Sequence, residues 1–199
     1  MKIAMIGTGS MGSGLGQALA PHHEVIMGSR DPDRATQVAR NIGAASGATY
    51  REAARDADVV VLALPWKAVE ESLAELGDLS GKILLDITNP FGEGGPIDVQ
   101  PSSSEEVQRL APGARVVKGW NTVYARNLIA PDFDGVAATV FLCGNDAAAK
   151  DVVIGLAKEI GFAPEDVGAL SSAAALTQLL RILGALRLGP DTQLRLLRR

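Results

Sequence analysis

Short aliphatic runs along this chain alternate with longer stretches in which apolar residues recur every three or four positions. The first spacing marks strands, the second helices packed by one face. Strands are predicted over 2–7, 24–28, 48–50, 58–63, 82–86, 115–119, 137–142 and 165–167. Helices are predicted over 11–20, 32–43, 51–55, 67–76, 104–110, 146–160 and 171–186. The runs "VVVLAL" and "KILLDI" are apolar on both faces, as strands are when helices cover a parallel sheet from both sides. The alternation predicts an α/β fold, a doubly wound and mostly parallel sheet of about seven to eight strands with a C-terminal helix.

Start and stop signals agree with this segmentation. Asp31 followed by Pro32 sets an N-cap before a proline at the first helical position. Ser103 with Glu106 three residues on fits a capping box. Gly43 and Gly161 stand where helices should stop. One long irregular connection, "NPFGEGGPIDVQPSS" from Asn89 to Ser103, leaves the carboxyl end of a central strand, where ligands bind in such sheets.

The length of 199 residues fits one domain, residues 1–199, with 170–199 as a helical extension packed on it or on a second subunit. The terminal helix "SSAAALTQLLRILGAL" is apolar around most of its circumference, so a homodimer is expected. A net charge of −4 argues against a nucleic-acid partner. The opening apolar run breaks at Gly7, too soon for a signal peptide, and no apolar stretch reaches membrane-spanning length; a cytoplasmic protein is expected. The basic tail "LRLLRR" reads as a docked end. With two adjacent histidines and one cysteine, no metal site is expected and no disulfide can form within the chain.

Gly7, Gly9 and Gly12 form G-x-G-x-x-G between an apolar strand and an amphipathic helix, the context that makes this pattern a Rossmann-type dinucleotide grip. Gly7 permits the sharp turn, Gly9 lets the backbone approach a pyrophosphate, and Gly12 lets the helix pack on the strand. Amides near Ser10 and Met11 would face the phosphates. In NAD-binding folds an Asp or Glu ends the second strand and accepts from the ribose hydroxyls. Here that strand ends Met27-Gly28-Ser29-Arg30. Ser29 is a neutral donor, the Arg30 fork matches a phosphate monoester, and Arg34 one helical turn later adds a second cation. With Asp31 read as the helix cap, the cluster favours the 2′-phosphate of NADP(H).

The nicotinamide end falls at "LALPWKAVE" and "DITNPFGE". Leu64, Pro65 and Trp66 would wall the ring, with Val69 one turn behind, although Trp66 also suits a core. Asn89-Pro90 would offer an amide to the ribose or carboxamide. Asn121, Thr122 and Tyr124 would arrive from across the crevice. A carbonyl or imine reductase needs a positioned proton donor. His22 and His23 lie at the wrong edge of the sheet, leaving Lys118 and Tyr124 as candidates. Cys143 reads as a core thiol. So little acid–base apparatus suits transfer between two flat redox rings, which needs positioning above all.

The segments "MKIAMIGTGSMGSGLGQALA", "HEVIMGSRDPDRA", "VVLALPWKAV", "DITNP" and "VVKGWNTVYARNL" resemble NADPH-dependent reductases of the deazaflavin coenzyme and the related oxidoreductase domain of ferric-reducing membrane proteins. The resemblance implies NADP held by Thr8, Gly9, Ser10 and Met11. It implies 2′-phosphate contacts from Ser29, Arg30 and Arg34, and nicotinamide contacts near Trp66 and Pro90. A deazaflavin, or FMN or FAD in its place, would then exchange hydride with the nicotinamide, with Asn121 and Tyr124 at the reaction end. One departure stands out. Deazaflavin reductases tend to carry a histidine after the sixth strand, where this chain has Asn121. Two other functions stay open: reduction of a small imine or ketone, with Tyr124 as donor, and a non-catalytic NADP-binding sensor.

Overall fold

The computed structural model describes residues 1–187, 189 and 191–197. Arg198 and Arg199, which end the basic tail, lie outside the described residues. Eight strands form one sheet: β1 (Lys2–Ile6), β2 (Glu24–Gly28), β3 (Ser46–Ala48), β4 (Val59–Leu62), β5 (Ile83–Asp86), β6 (Arg115–Lys118), β7 (Thr139–Gly144) and β8 (Ala163–Asp166). Their order is β8-β7-β6-β5-β4-β1-β2-β3, so the chain reverses its direction of travel across the sheet between β1 and β4. This is the order of a doubly wound Rossmann-type fold, and ligands bind at that reversal.

Helices α1 (Ser10–Leu19), α2 (Pro32–Ile42), α3 (Tyr50–Arg55), α4 (Val69–Leu76), α5 (Ser103–Leu110), α6 (Ala147–Glu159) and α7 (Ala173–Ala185) join and cover the strands. The pleat divides the apolar residues between two cores. Ile3, Met5, Val59, Val61 and Leu85 point to one face, under α1, α2 and α6. Ala4, Ile6, Val60, Leu62 and Leu84 point to the other, under α3, α4 and α5. Fully burying one such Val, Ile or Leu contributes roughly 1.5–3 kcal/mol, so both faces hold the central strands in place.

Several expectations shift. β3 ends at Ala48 rather than running to Tyr50, because Thr49 caps α3 in a box with Glu52 and turns Tyr50 into its first residue. The last two strands also move, to Thr139–Gly144 and Ala163–Asp166. Ala137 belongs instead to a hairpin pairing Asp132–Phe133 with Val136–Ala137. Its turn residues Asp134 and Gly135 both have positive φ, 53° and 82°, as a type I′ turn requires. β7 runs antiparallel to β6 and parallel to β8, so this pair opposes the other six. The predicted helix over 67–76 begins as a 3-10 turn, Trp66–Ala68, before α4.

The expected capping box of Ser103 with Glu106 is replaced by a plain N-cap one residue earlier. Ser102 is the N-cap, accepting from the Glu105 amide, because Ser104 is drawn inward to donate to Asp86 at 2.7 Å. The long connection before α5 contains a small hairpin, Phe91–Gly92 against Gly95–Pro96. The terminal helix starts with a 3-10 turn, Leu170–Ser172. No helix among the described residues is long and apolar enough to cross a membrane.

Candidate functional site

The carboxyl ends of β1, β2, β4, β5 and β6 open onto one crevice made of three connected spaces. The first, about 490 Å³, lies between the glycine turn and the end of β2. The second, about 820 Å³, runs past Leu64, Pro65 and Trp66 to Thr88 and Asn89. The third, about 620 Å³, is roofed by the hairpin and closed by α7. Gly9 joins the first to the second, and Met11 and Asn89 join the second to the third.

The glycine turn is held from both sides. Gly7 has φ of 119° and donates its amide to Gly28 at 3.0 Å. A Cβ on Gly7 would lie 2.3 Å from the Ala63 carbonyl oxygen, and one on Gly12 would lie 2.1 Å from that of Gly7. Gly9 differs: a Cβ there would meet nothing within 4 Å. Its hydrogen faces open crevice, the space a pyrophosphate needs. Gly9 is also the N-cap of α1, which has no side-chain cap and no acidic residue in its first turn, so the partial positive end of α1 faces that space.

Across the first space stand Ser29, Arg30 and Arg34. Ser29 is buried, and its hydroxyl oxygen accepts from the Asp31 amide at 3.2 Å, leaving its own proton to donate. Asp31 directs its carboxylate into the first turn of α2, accepting from the Asp33 and Arg34 amides at 3.0 and 3.2 Å. Arg30 and Arg34 are exposed, and Arg34 donates through Nε to the Thr8 hydroxyl at 2.9 Å. Tyr50, which sequence patterning had put in a strand, lines the same space while buried to 6% exposure. Burial pushes its phenol pKa up, against the pull of Arg30 and a hydrogen bond with Ser72. The signal that would have placed it is T-Y-R-E, the capping-box pattern at 49–52.

At the second space Trp66 is half-buried, lining the wall while also packing against the core, and Val69 packs at 1% exposure behind it. Pro90 departs from expectation. It is buried behind the wall beside a cavity of about 40 Å³, because its carbonyl accepts from Ile97 to close the base of the hairpin. Asn89 donates through Nδ2 to the Asn121 carbonyl at 2.8 Å, and Asn121 donates through Nδ2 to the Leu176 carbonyl at 3.1 Å. Two buried carbonyl oxygens, Oδ1 of Asn89 and of Asn121, have no hydrogen-bond donor among the described residues.

Trp120 makes this junction possible. It is 1% exposed with φ of 52°, a conformation unusual for a bulky residue, and it turns the chain directly after β6. Thr122 and Tyr124 then line the third space, with Tyr124 at 38% exposure.

Lys118 does not reach the crevice. It is fully buried and donates to Asp86 Oδ2 at 3.1 Å and to the Thr88 carbonyl. Asp86 also accepts from Thr88 and Ser104. The four residues form a closed polar network beneath the loop that carries Asn89, and Lys118 supplies no proton to a substrate. Cys143 is buried, and burial pushes its thiol pKa up to about 11. His22 and His23 sit at the opposite edge of the sheet, where His23 Nε2 meets Glu159 Oε2 at 2.7 Å. Among the described residues no group of three or more His, Cys, Asp or Glu is placed to hold a metal ion.

The profile of the family described as NADP oxidoreductase, coenzyme F420-dependent, matches residues 2–90. An F420-dependent NADP reductase of Methanocaldococcus jannaschii is 34% identical over 206 aligned positions, covering 90% of this chain and 91% of the reductase. A putative F420-dependent NADP reductase of Arthrobacter has a solved structure that superposes with a TM-score of 0.82 at 35% identity, covering 94% of this chain and 95% of that one. The rat metalloreductase STEAP3 is 32% identical over 92% of this chain, which spans only 37% of that protein's length.

Proposed function

The chain belongs to the F420-dependent NADP reductase family, and from that premise we propose that it carries hydride between NADP(H) and a deazaflavin or flavin ring. The observation that carries this reading is the first space of the crevice. It pairs the open Gly9 turn and uncapped α1 with Ser29, Arg30 and Arg34, while Asp31 is committed to capping α2. A 2′-phosphorylated dinucleotide fits this donor set, and a carboxylate free to accept from a 2′-hydroxyl is missing from it.

NADPH, when bound, supplies the hydride. The chain's own residues bind and orient. Gly9, Ser10 and Met11 would take the pyrophosphate, and Leu64, Pro65 and Trp66 would wall the nicotinamide. Asn89 and Asn121, whose buried Oδ1 atoms meet no donor among the described residues, suit a carboxamide N–H₂. Met11, Phe91, Val123 and Leu183 give the third space the apolar lining that a second flat ring needs. The match to STEAP3 covers too little of that protein to carry metal reduction across.

The test is anaerobic stopped-flow oxidation of NADPH against deazaflavin, FMN, FAD, imine and ketone acceptors. Rapid turnover with deazaflavin or a flavin alone supports the proposal. The presence of Tyr124 in the third space favours a second reading, reduction of a small imine or ketone with the phenol as proton donor. Tyr124→Phe would then abolish activity on those substrates while NADPH binding survives. Tight NADPH binding with no oxidation by any acceptor would instead identify a sensor.

A further inference from the structure

The hairpin that roofs the crevice has little in its own sequence to hold it there. Phe91-Gly92-Glu93-Gly94-Gly95-Pro96 carries three glycines and pairs only two residues a side. A two-stranded ribbon of that kind is marginally stable at best in water. Yet Phe91, at 50% exposure, lines both the second and the third space. What holds the roof is α7. Arg181 donates through Nη2 to the Pro96 carbonyl at 2.9 Å and pairs through the same nitrogen with Asp98 Oδ1 at 3.1 Å. Gln178, one turn earlier on α7, donates through Nε2 to that carboxylate oxygen at 3.4 Å, and its Oε1 stands 3.5 Å from Arg181 Nη1.

The same helix is pinned to the reaction end, where Asn121 Nδ2 donates to the Leu176 carbonyl at 3.1 Å. Leu176 and Arg181 lie about one and a half helical turns apart. Roof, α7 and Asn121 are therefore joined in series around the third space. Among the described residues Arg181 is the one charged side chain lining that space, and its Nη2 is committed to the roof.

We propose that Arg181, with Asp98, is a positioning residue for the acceptor half of the reaction: it latches the hairpin to α7 and so holds Phe91 over the ring bound in the third space. The inference rests on the reading of that space as the seat of a flat second ring, and adds what keeps the seat covered. The guanidinium acts through Phe91 and need not touch the ring. Its loss therefore weakens every flat acceptor alike, phosphorylated or not. Both partners of the ion pair are partly exposed, so the latch governs a few-fold rather than decades.

The experiment applies two readouts to wild type, Arg181→Ala, Arg181→Lys, Asp98→Ala and the double alanine variant. NMR-detected hydrogen exchange follows the Ile97 amide, which donates to the Pro90 carbonyl at 2.8 Å across the base of the hairpin. Steady-state kinetics follow NADPH oxidation by riboflavin, 5-deazariboflavin and FMN. Arg181→Ala and Asp98→Ala should each speed exchange at Ile97 and raise the acceptor KM by about two- to fivefold. A bound ring holds Phe91 by contact, so kcat should stay within about twofold of wild type. Riboflavin and FMN should shift by the same factor. The double variant should do no worse than Arg181→Ala, since both changes remove one latch. Arg181→Lys, which keeps the ion pair, should recover part of the loss. Unchanged affinity for 2′,5′-ADP, whose subsite lies in the first space, checks that each variant folds.

A KM rise confined to FMN would make Arg181 a direct contact for the phosphate and overturn the latch. So would a lower KM in Asp98→Ala, or exchange at Ile97 that no variant alters. Wild type that oxidises NADPH with none of the three rings fails at the reading of the third space instead, and the inference falls with it.

Discussion

Three glycines make up the nucleotide turn, and the structure separates the one that serves a ligand from the two that serve the fold. Gly9 has φ of −78° and ψ of −179°, a conformation open to any residue, and a Cβ there meets nothing within 4 Å. Gly9→Val should therefore fold. Its cost is the weaker N-cap preference, about 0.5–1 kcal/mol, offset by the smaller entropy of the unfolded chain. For a chain of this size that amounts to a melting shift of at most about 2–4 °C.

Gly12→Ala is the contrasting change. Its new Cβ would lie 2.1 Å from the Gly7 carbonyl oxygen, so α1 or the turn must move. Overpacking of this kind costs at least about 1–3 kcal/mol, several degrees of melting temperature. Binding should reverse the ranking. The valine methyls occupy the space above the α1 amides, and two lost charged hydrogen bonds at about 1.5–3 kcal/mol each remove roughly two to four decades of NADPH affinity. Differential scanning calorimetry and titration calorimetry on both variants give the two readouts. Gly9→Val protein that binds NADPH like wild type, or melts as early as Gly12→Ala, would refute the assignment.

Three further outcomes follow from the same geometry. Arg30→Ala and Arg34→Ala should each cost NADPH about one to two decades of affinity and leave NADH nearly unchanged, measured by fluorescence titration. Lys118→Met leaves Asp86 buried without its cation and should cost about 3–5 kcal/mol in urea unfolding, whereas Lys118→Met with Asp86→Leu should recover part of that loss. The Cys143 thiol, raised to about 11 in the folded protein from an ordinary 9, favours the native state below about pH 9; unfolding in urea should show stability falling as pH climbs from 9 towards 11, a decline that Cys143→Ala removes.

What the sequence disclosed was mostly local. G-x-G-x-x-G needs only its own strand and helix to be legible, and the Ser29-Arg30 pair needs only its place at a strand end. Strand direction is different: the apolar pattern of Thr139–Gly144 reads the same in either sense, so the reversal of β7 was invisible. "SSSEE" offers two capping registers, and the choice was made by a partner 18 residues away, when Asp86 drew in Ser104. The Asp134-Gly135 turn and the Thr49–Glu52 box were written in the sequence but obscured by the neighbouring strands. Lys118 looked like a candidate acid until its burial against Asp86 was known. The contact of Thr8 with Arg34, and the approach of Tyr50 to Arg30, exist only because the sheet brings β1, β2 and α3 together.

The most direct measurement of the central claim is a crystal structure with NADP⁺ bound. The account predicts the 2′-phosphate between the Arg30 and Arg34 guanidinium groups, within reach of the Ser29 hydroxyl, and the pyrophosphate over Gly9 at the start of α1. A nucleotide whose 2′-phosphate points into solvent, with both guanidinium groups turned away from it, would contradict it.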